Sequence, residues 1–276
     1  MNNMKIYVVT HKKFNLDLGE IYAPLFAGAH DKENTFGYLR DDEGDNISYK
    51  NSTYSENTAL YWMWKNSTED IVGLCHYRRY FAKGLLGQKK LLNKEDILKD
   101  LDKHDLIAFK RKNGITNRKF FNMFVSDENI CESLEVMKEV HPDYYEDYKK
   151  VLKSRSQYPF CMFIAKREFL NSYCEWLFPF LEALEPRLTN EFRGIGYYAE
   201  LALSVFIMHN GYKVKNRQVK FFEFSIGLNA NVNSLMCLSY KDKIDINLTP
   251  IFNFINKSYF LIWVFVNLAL SHSNKH

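Results

Sequence analysis

Residues 41–81 read DDEGDNISYKNSTYSENTALYWMWKNSTEDIVGLCHYRRYF, and the fold turns on this stretch. It passes from a polar loop through an aromatic helix into a short apolar strand that ends in cations. Gly44 and Asn46 among acidic residues mark a loop, because both residue types tolerate backbone angles that most side chains avoid. Ser55 is placed to cap a helix that begins near Glu56, where Ala59, Leu60, Met63 and Trp64 recur at helical spacing. Asn66, Ser67 and Thr68 close it. Ile71-Val72-Gly73-Leu74-Cys75 then reads as an interior strand, with His76-Tyr77-Arg78-Arg79-Tyr80-Phe81 at its carboxyl end.

In open α/β sheets, ligands gather at the carboxyl ends of strands. Two guanidiniums, an imidazole and two phenols there suit a phosphate-bearing ligand, since arginine holds phosphate oxygens in a bidentate way. The competing reading has one arginine capping a helix or pairing with a carboxylate while the tyrosines only pack. The position directly after a fully apolar strand favours a site.

Working outward, 5–10 reads as a first parallel strand that ends in the polar loop His11, Lys12 and Lys13. Neither GxGxxG nor GxxxxGK[ST] follows, so a nucleotide here would be held by side chains and not by a glycine nest. Residues 31–45 are polar and expected to be exposed, and 82–90 reads as a Gly/Lys linker. A strand over 105–109 leads to Lys110-Arg111-Lys112, for which a solvated face is the favoured reading. The run 160–165 is a buried strand feeding a helix over 167–184, with Phe169, Tyr173, Trp176, Leu177 and Phe180 on its buried face. Pro179 is expected to kink or divide that helix. A helix over 199–210 carries Glu200 in its first turn, and 214–224 reads as extended. Strands alternating with helices argue for an α/β sandwich.

A chain of 276 residues buries a real core and fits one domain with an appendage. The aromatic load of 22 Phe, 18 Tyr and 4 Trp suits a dense core or a stacking surface without choosing between them. A net charge of +4 is too mild for nucleic acid, where a cationic stripe is expected, and is compatible with phosphate-bearing substrates or an anionic membrane surface. Cys75, Cys131, Cys161, Cys174 and Cys237 form no CxxC pair and read as reduced, buried thiols of a cytosolic protein. The first apolar run is too short for a secretory core. The tail from 251, IFNFINKSYFLIWVFVNLALSHSNKH, is too short and too interrupted to span a bilayer. A membrane-surface helix and a terminal helix docked on the domain are both open for it. The expected division is 1–234 and 235–276.

No metal-ligand spacing stands out. Asp41, Asp42 and Asp45 lack an EF-hand pattern, and a solvated acidic loop is preferred over a cation site. There is no GxSxG elbow and no Cys–His pair. Glu200, following a Gly/Tyr-rich loop, is a candidate general base for an acceptor hydroxyl, with Glu191 and Glu56 as weaker alternatives. An acid in a first helical turn also offsets the helix dipole, and on the residues alone that is the stronger reading.

The segments IYVVTHKKF, GDNIS with KN and YSE, TALYWMWKN, IVGLCHYRRYF and PFCMFIAKREFLNSYCEWLF resemble a bacterial family catalogued as a domain of unknown function, DUF4422, in capsule, exopolysaccharide and lipopolysaccharide clusters. The resemblance covers about 5–224. Members are regarded as glycosyltransferases, some of them galactofuranosyltransferases. The resemblance implies a single GT-A-like α/β domain with a mostly parallel central sheet and flanking helices. It implies a UDP-linked sugar as donor, a polyprenyl-diphosphate-linked saccharide as acceptor, and work at the cytoplasmic membrane face. Thr10, His11 and Lys12 would lie near the nucleotide sugar. Asp45, Asn46, Lys50, Asn51 and Glu56 match the family's polar loop and helix start, and His76, Tyr77, Arg78 and Arg79 its most distinctive element. Glu200 matches an Ala-Glu-Arg position, although Leu201 stands here in place of the arginine. Where many such transferases carry an Asp-x-Asp motif for a divalent cation, this chain has His76-Tyr77-Arg78-Arg79. That favours transfer without a metal, with Mn or Mg left open by the acidic loop. A non-catalytic module binding glycan or a partner in an assembly complex is the alternative.

Overall fold

Apolar runs buried on both faces form the middle of the sheet, and polar or glycine-bearing segments end each strand. The computed structural model describes residues 3–15, 18–84, 89–188 and 194–222. The aromatic tail, the division at 234, Cys237, Glu191 and the centre of the 82–90 linker lie outside the described residues. Contacts group Met1–Lys83 with Lys90–Phe224, and the description below concerns that unit.

Strand β1 (Met4–Thr10) pairs in parallel with β2 (Tyr22–Phe26), and β2 with β3 (Leu39–Arg40). Helices α1 (Asn51–Tyr54) and α2 (Asn57–Asn66) lead to β4 (Ile71–His76), parallel to β1 on its other side. A tight turn at Tyr77 and Arg78 returns the chain as β5 (Arg79–Lys83), which pairs with β6 (Lys90–Leu91). Next come α3 (Lys94–Leu101), β7 (Leu106–Ala108), β8 (Arg111–Lys112), α4 (Asn117–Phe121), α5 (Asp127–Val140) and α6 (Tyr145–Lys153). The last described elements are β9 (Ser156–Gln157), β10 (Phe163–Lys166), α7 (Arg167–Leu184), α8 (Gly194–His209), β11 (Val214–Asn216) and β12 (Gln218–Phe221). The central path runs β11-β7-β10-β4-β1-β2-β3, and within it β10 alone runs against the others. The sheet is therefore mostly parallel, with helices packed on it, and one edge collects the carboxyl ends of β1, β4, β7 and β11.

Val72, Leu74 and Cys75 of β4 are fully buried. Gly73 between them is needed for close packing, since a Cβ there would meet Ile164 Cγ1 at 2.7 Å and Ile6 Cδ1 at 2.8 Å. Helix α7 buries Phe169, Tyr173, Trp176, Leu177 and Phe180 as its periodicity predicts, and packs against α2, α5 and α8. Pro179 does not divide it. The buried flanking residues Phe178, Phe180 and Leu181 hold the helix through the missing N–H. Ser55 is no cap either: it sits at φ 53°, and α2 begins after Glu56 with no side-chain cap bond. Cys131 is exposed, against the expectation of a buried thiol, whereas Cys75, Cys161 and Cys174 are buried.

Most of 31–45 is exposed as expected, and Asp41 is the sharpest departure from it. Asp41 is fully buried and accepts four hydrogen bonds: from the backbone N–H groups of Gly28 and Ala29, both at 2.9 Å, and from the hydroxyls of Ser48 at 2.5 Å and Thr58 at 2.6 Å. Gly28 itself lies at φ +68°, and a Cβ there would strike the Asn51 side chain at 2.6 Å. One carboxylate thus ties the loop after β2 to the 45–50 loop and to α2. Removing it leaves buried donors without a partner, each a cost of roughly 1–3 kcal/mol. Asp41→Ala is expected to lower unfolding stability by about 3 kcal/mol or more, read by urea denaturation followed by tryptophan fluorescence. A loss within about 0.5 kcal/mol, the usual range for a surface change, would contradict the anchoring role.

Candidate active site

At the carboxyl edge the β4–β5 hairpin sends its two arginines to different rings. The Arg78 guanidinium lies 5.0 Å from the centre of Tyr77, and that of Arg79 lies 4.2 Å from the centre of Phe160. Tyr77 is buried, with His11 against it edge-on at 5.5 Å and Lys12 Nζ 5.4 Å from its centre. Thr10 shapes the approach, because its hydroxyl accepts from Lys12 N–H at 3.1 Å and donates to the Lys12 carbonyl at 2.6 Å. Thr10, His11, Lys12, Tyr77 and Arg78 are therefore brought together, as a cationic shelf around one phenol ring.

The second cluster is built around Phe160. This residue and Cys161 sit at φ 71° and 52°, a left-handed conformation that costs on the order of 1 kcal/mol or more for each side-chain-bearing residue. The carbonyl of Phe160 accepts a 2.7 Å hydrogen bond from His76 Nε2, which fixes the tautomer of that ring. Burial, with the charges of Arg79 and Arg78 adding to it, pushes the His76 pKa down to about 3, so the imidazole is neutral at physiological pH. Glu200, part-buried on α8, hydrogen-bonds the backbone of Phe160. Burial raises its pKa above the ordinary carboxylate value, while Arg111, the Phe160 bond and Arg79 act in the opposite direction. Arg111 lies with its guanidinium 4.4 Å from the centre of Phe120 and 5.7 Å from that of Phe160. Burial lowers its pKa, and Glu200 opposes that shift.

Two expectations are corrected here. Glu200 is not in the first turn: α8 begins at Gly194, so the carboxylate stands in the second turn and does not serve the helix dipole. Lys110-Arg111-Lys112 is not simply a solvated face, because the Nε and Nη2 atoms of Arg111 are buried. The structure adds Phe160 and Arg111 to the site. The signal for Arg111 was present, since it follows the end of a buried strand just as His76 and Arg79 do. Glu56, half-buried, acts electrostatically on Cys161 together with Glu200 and so also lies near this cluster.

Asp45, Asn46, Lys50 and Asn51 serve the framework of the polar loop. Asp45 accepts from the Tyr61 hydroxyl at 3.2 Å, and Asn46 Nδ2 donates to the carbonyls of Asp42 and Gly44. Lys50 pairs with Glu185 at 2.7 Å, and Asn51 Nδ2 donates to the Ser55 carbonyl and to Thr58. Asp42 is held below the usual carboxylate range by Arg40. With Asp41 and Asp42 so engaged, the loop is poorly suited to a cation. Among the described residues no group of three or more His, Cys, Asp or Glu side chains is arranged to hold a metal ion. No described helix is long and apolar enough to cross a membrane.

The sequence profile of the family described as a domain of unknown function, DUF4422, matches residues 5–211. The chain belongs to the DUF4422 family. No curated protein matches it. Among solved structures, this DUF4422 chain is similar to the apo structure of the bifunctional glycosyltransferase WbbM, with a TM-score of 0.71 and 27% sequence identity. The likeness covers 81% of this chain and 46% of that one, so the chain spans less than half the length of WbbM. Its fold is a glycosyltransferase fold.

The desolvation of His76, which its bond to Phe160 only partly offsets, has a consequence for stability against pH. A part-buried imidazole whose folded pKa lies near 3, against the ordinary 6.5, binds fewer protons folded than unfolded between those values. Its contribution is therefore complete above pH 6.5 and is lost as the pH falls towards 3, at up to about 1.4 kcal/mol per pH unit. Urea denaturation between pH 4.5 and 7.5 should show His76→Gln, which keeps an N–H donor and does not titrate, with a slope shallower by about one proton. Equal slopes in the two proteins would mean that His76 titrates normally in the fold.

Proposed function

We propose that the chain is a glycosyltransferase domain that moves a sugar, galactofuranose or galactose, from a UDP-sugar to a hydroxyl of a glycan. The acceptor is carried on a polyprenyl diphosphate at the cytoplasmic membrane face, in surface polysaccharide assembly. The observation that carries this reading is Glu200, a carboxylate with a raised proton affinity, set near two guanidiniums at the carboxyl edge of a glycosyltransferase fold. General bases are tuned upward in this way by burial, so that they take a proton near the working pH.

In the mechanism, Glu200 accepts the proton of the acceptor hydroxyl as that oxygen forms its bond to the anomeric carbon. The bond from that carbon to the diphosphate oxygen breaks, and the diphosphate leaves with the electron pair. Arg78 and Arg79 offset its charge, an electrostatic term of the kind that stabilises a leaving diphosphate, and the His11 and Lys12 shelf serves mainly to draw the diphosphate in. Asp45, Asn46, Lys50 and Asn51 act through the loop they hold together. Transfer proceeds without a divalent cation, a reading supported by the engagement of Asp41 and Asp42 within the protein.

The first test is release of nucleotide diphosphate from a panel of nucleotide sugars with a lipid-linked saccharide acceptor, once with manganese or magnesium and once with chelator. Acceptor-dependent release from a UDP-sugar that persists in chelator is expected. Glu200→Gln should lower kcat by about 100-fold or more while leaving donor affinity unchanged. Because the base must be deprotonated, wild-type activity should fall on the acid side through a pKa above the ordinary carboxylate value, and the variant should lack that limb. Loss in chelator would reinstate a metal. Release from no donor, with no nucleotide bound by calorimetry, would leave a non-catalytic binding module.

A further inference from the structure

Beside Glu200 the structure leaves a group of buried polar atoms unused. Arg111 and Gln157 stand directly opposite each other in the antiparallel β8–β9 pair, so their side chains share one face of that ribbon. Gln157 is 1% exposed. Its Oε1 and Nε2, and the Nε and Nη2 of Arg111, are buried with no hydrogen-bond partner. Buried polar atoms in a folded protein are nearly always paired, and four together on one cross-strand pair call for an explanation.

The surroundings are held firmly. Asn117, fully buried, donates from Nδ2 to the carbonyls of Val151 at 2.8 Å and Ser156 at 3.0 Å, which fixes the approach to β9. The N–H of Tyr158 donates to Ser204 Oγ at 2.9 Å. Ser204 lies four residues after Glu200 on α8, and Glu200 bonds the Phe160 backbone, so the segment leaving Gln157 runs along the face of α8 that carries Glu200. The Arg111 guanidinium lies over the Phe120 ring, 4.4 Å from its centre, and its unpartnered Nε and Nη2 form one edge of the planar group. That edge, Nε with Nη2, is the fork that matches two oxygens of a carboxylate or phosphoryl group. The Gln157 amide adds one donor and one acceptor, and the acceptor suits a neighbouring hydroxyl.

We propose that Arg111 and Gln157 form a binding subsite for an anionic oxygen group beside a hydroxyl, with Arg111 gripping the anion through Nε and Nη2 and Gln157 reading the hydroxyl. Two sources share this chemistry: the diphosphate of the donor, and the carboxylate of an acidic acceptor sugar. That the ligand is a transferase substrate rests on the glycosyltransferase reading, whereas the anion site itself does not.

The test is calorimetric titration of inorganic pyrophosphate, UDP and glucuronate into the full chain and its Arg111→Gln and Gln157→Leu variants at one ionic strength. Melting temperature without ligand is measured alongside. Replacing an unpartnered buried amide by an apolar group of similar size leaves the protein as stable or more so. Gln157→Leu is therefore expected to keep or raise the unliganded melting temperature while raising the Kd of at least one probe by about tenfold. Arg111→Gln should weaken the same probe at least as much. Weakening of pyrophosphate and UDP assigns the donor phosphates, and weakening of glucuronate assigns an acidic acceptor. Unchanged affinities in both variants, no binding of any probe to the wild type, or a lowered melting temperature for Gln157→Leu would each overturn the subsite. Turnover of a UDP-sugar that is unaffected by both variants would remove the subsite and leave the transferase reading standing. Anion binding that depends on Arg111, with no donor turned over, would do the reverse.

Discussion

The hydrogen bond from His76 to the carbonyl of Phe160 is the contact on which the candidate site depends. It joins the end of β4 to the segment entering β10, the one strand of the central path that runs against its neighbours. Phe160 and Cys161 are both left-handed there, a conformation that persists only where the surroundings over-determine it. With the carbonyl held, the backbone of Phe160 is held for Glu200 and its ring for Arg79 and Arg111. A charged imidazole would put a third cation beside two guanidiniums in a desolvated region. The low proton affinity of His76 is therefore what lets the residue act as a strut inside a cationic cluster.

Asp41 plays the corresponding part on the other side of the hairpin. Its four donors come from the loop after β2, from the 45–50 loop and from α2, so the polar stretch between β3 and β4 is a fixed shelf. A carboxylate that accepts four hydrogen bonds has its lone pairs filled by the fold and has none to offer a cation. The same accounting separates the residues of this loop from those of the hairpin. Asp42, Asn46 and Asn51 spend their polar groups on neighbouring residues. Arg78 and Lys12 lie instead over an aromatic ring, a contact that leaves guanidinium and ammonium N–H groups available.

Most of the architecture was legible in the sequence because it rests on hydrophobic period and strand-end chemistry. The buried strand at 71–75, the buried face of α7 and the cations closing β4 all follow from local pattern. The exceptions have identifiable physical causes. Asp41 looks like a solvated acid beside Asp42 and Glu43, and only the tertiary return of Gly28, Ala29 and Thr58 makes it a buried acceptor. Glu200 looks like a helix-dipole residue as long as the helix is started at Ala199. Residues 194–198 wind into α8 despite two glycines, and at Gly196 a Cβ would press on Ser55 Oγ at 3.1 Å and Ser55 Cβ at 3.3 Å. The strand-end signal at Arg111 was outweighed by its lysine neighbours, since a run of three cations looks solvated until one of them is covered by Phe120. At the Phe160 turn Pro159 is the only announcement, and the left-handed positions after it are held by Phe160 and Cys161 where a glycine would be expected.

The division of Arg78 and Arg79 between two rings bears on how charge is distributed in the site. Adjacent residues across a tight hairpin turn serve different neighbours, so the paired arginines do not form one clamp. Around Tyr77 lie the cations Lys12 and Arg78 and the imidazole of His11, which is exposed. Charges in such a setting are screened by salt over about 10 Å and act mainly to attract an anion. Around Phe160 the groups are Arg79, Arg111 and Glu200, where burial shifts the proton affinities of Arg111 and Glu200 against their charged forms. A low effective dielectric strengthens each interaction there and makes an unmatched charge costly. The two clusters share one hairpin, so an anion drawn to the Tyr77 shelf is brought to the edge of the region where electrostatic stabilisation is strongest.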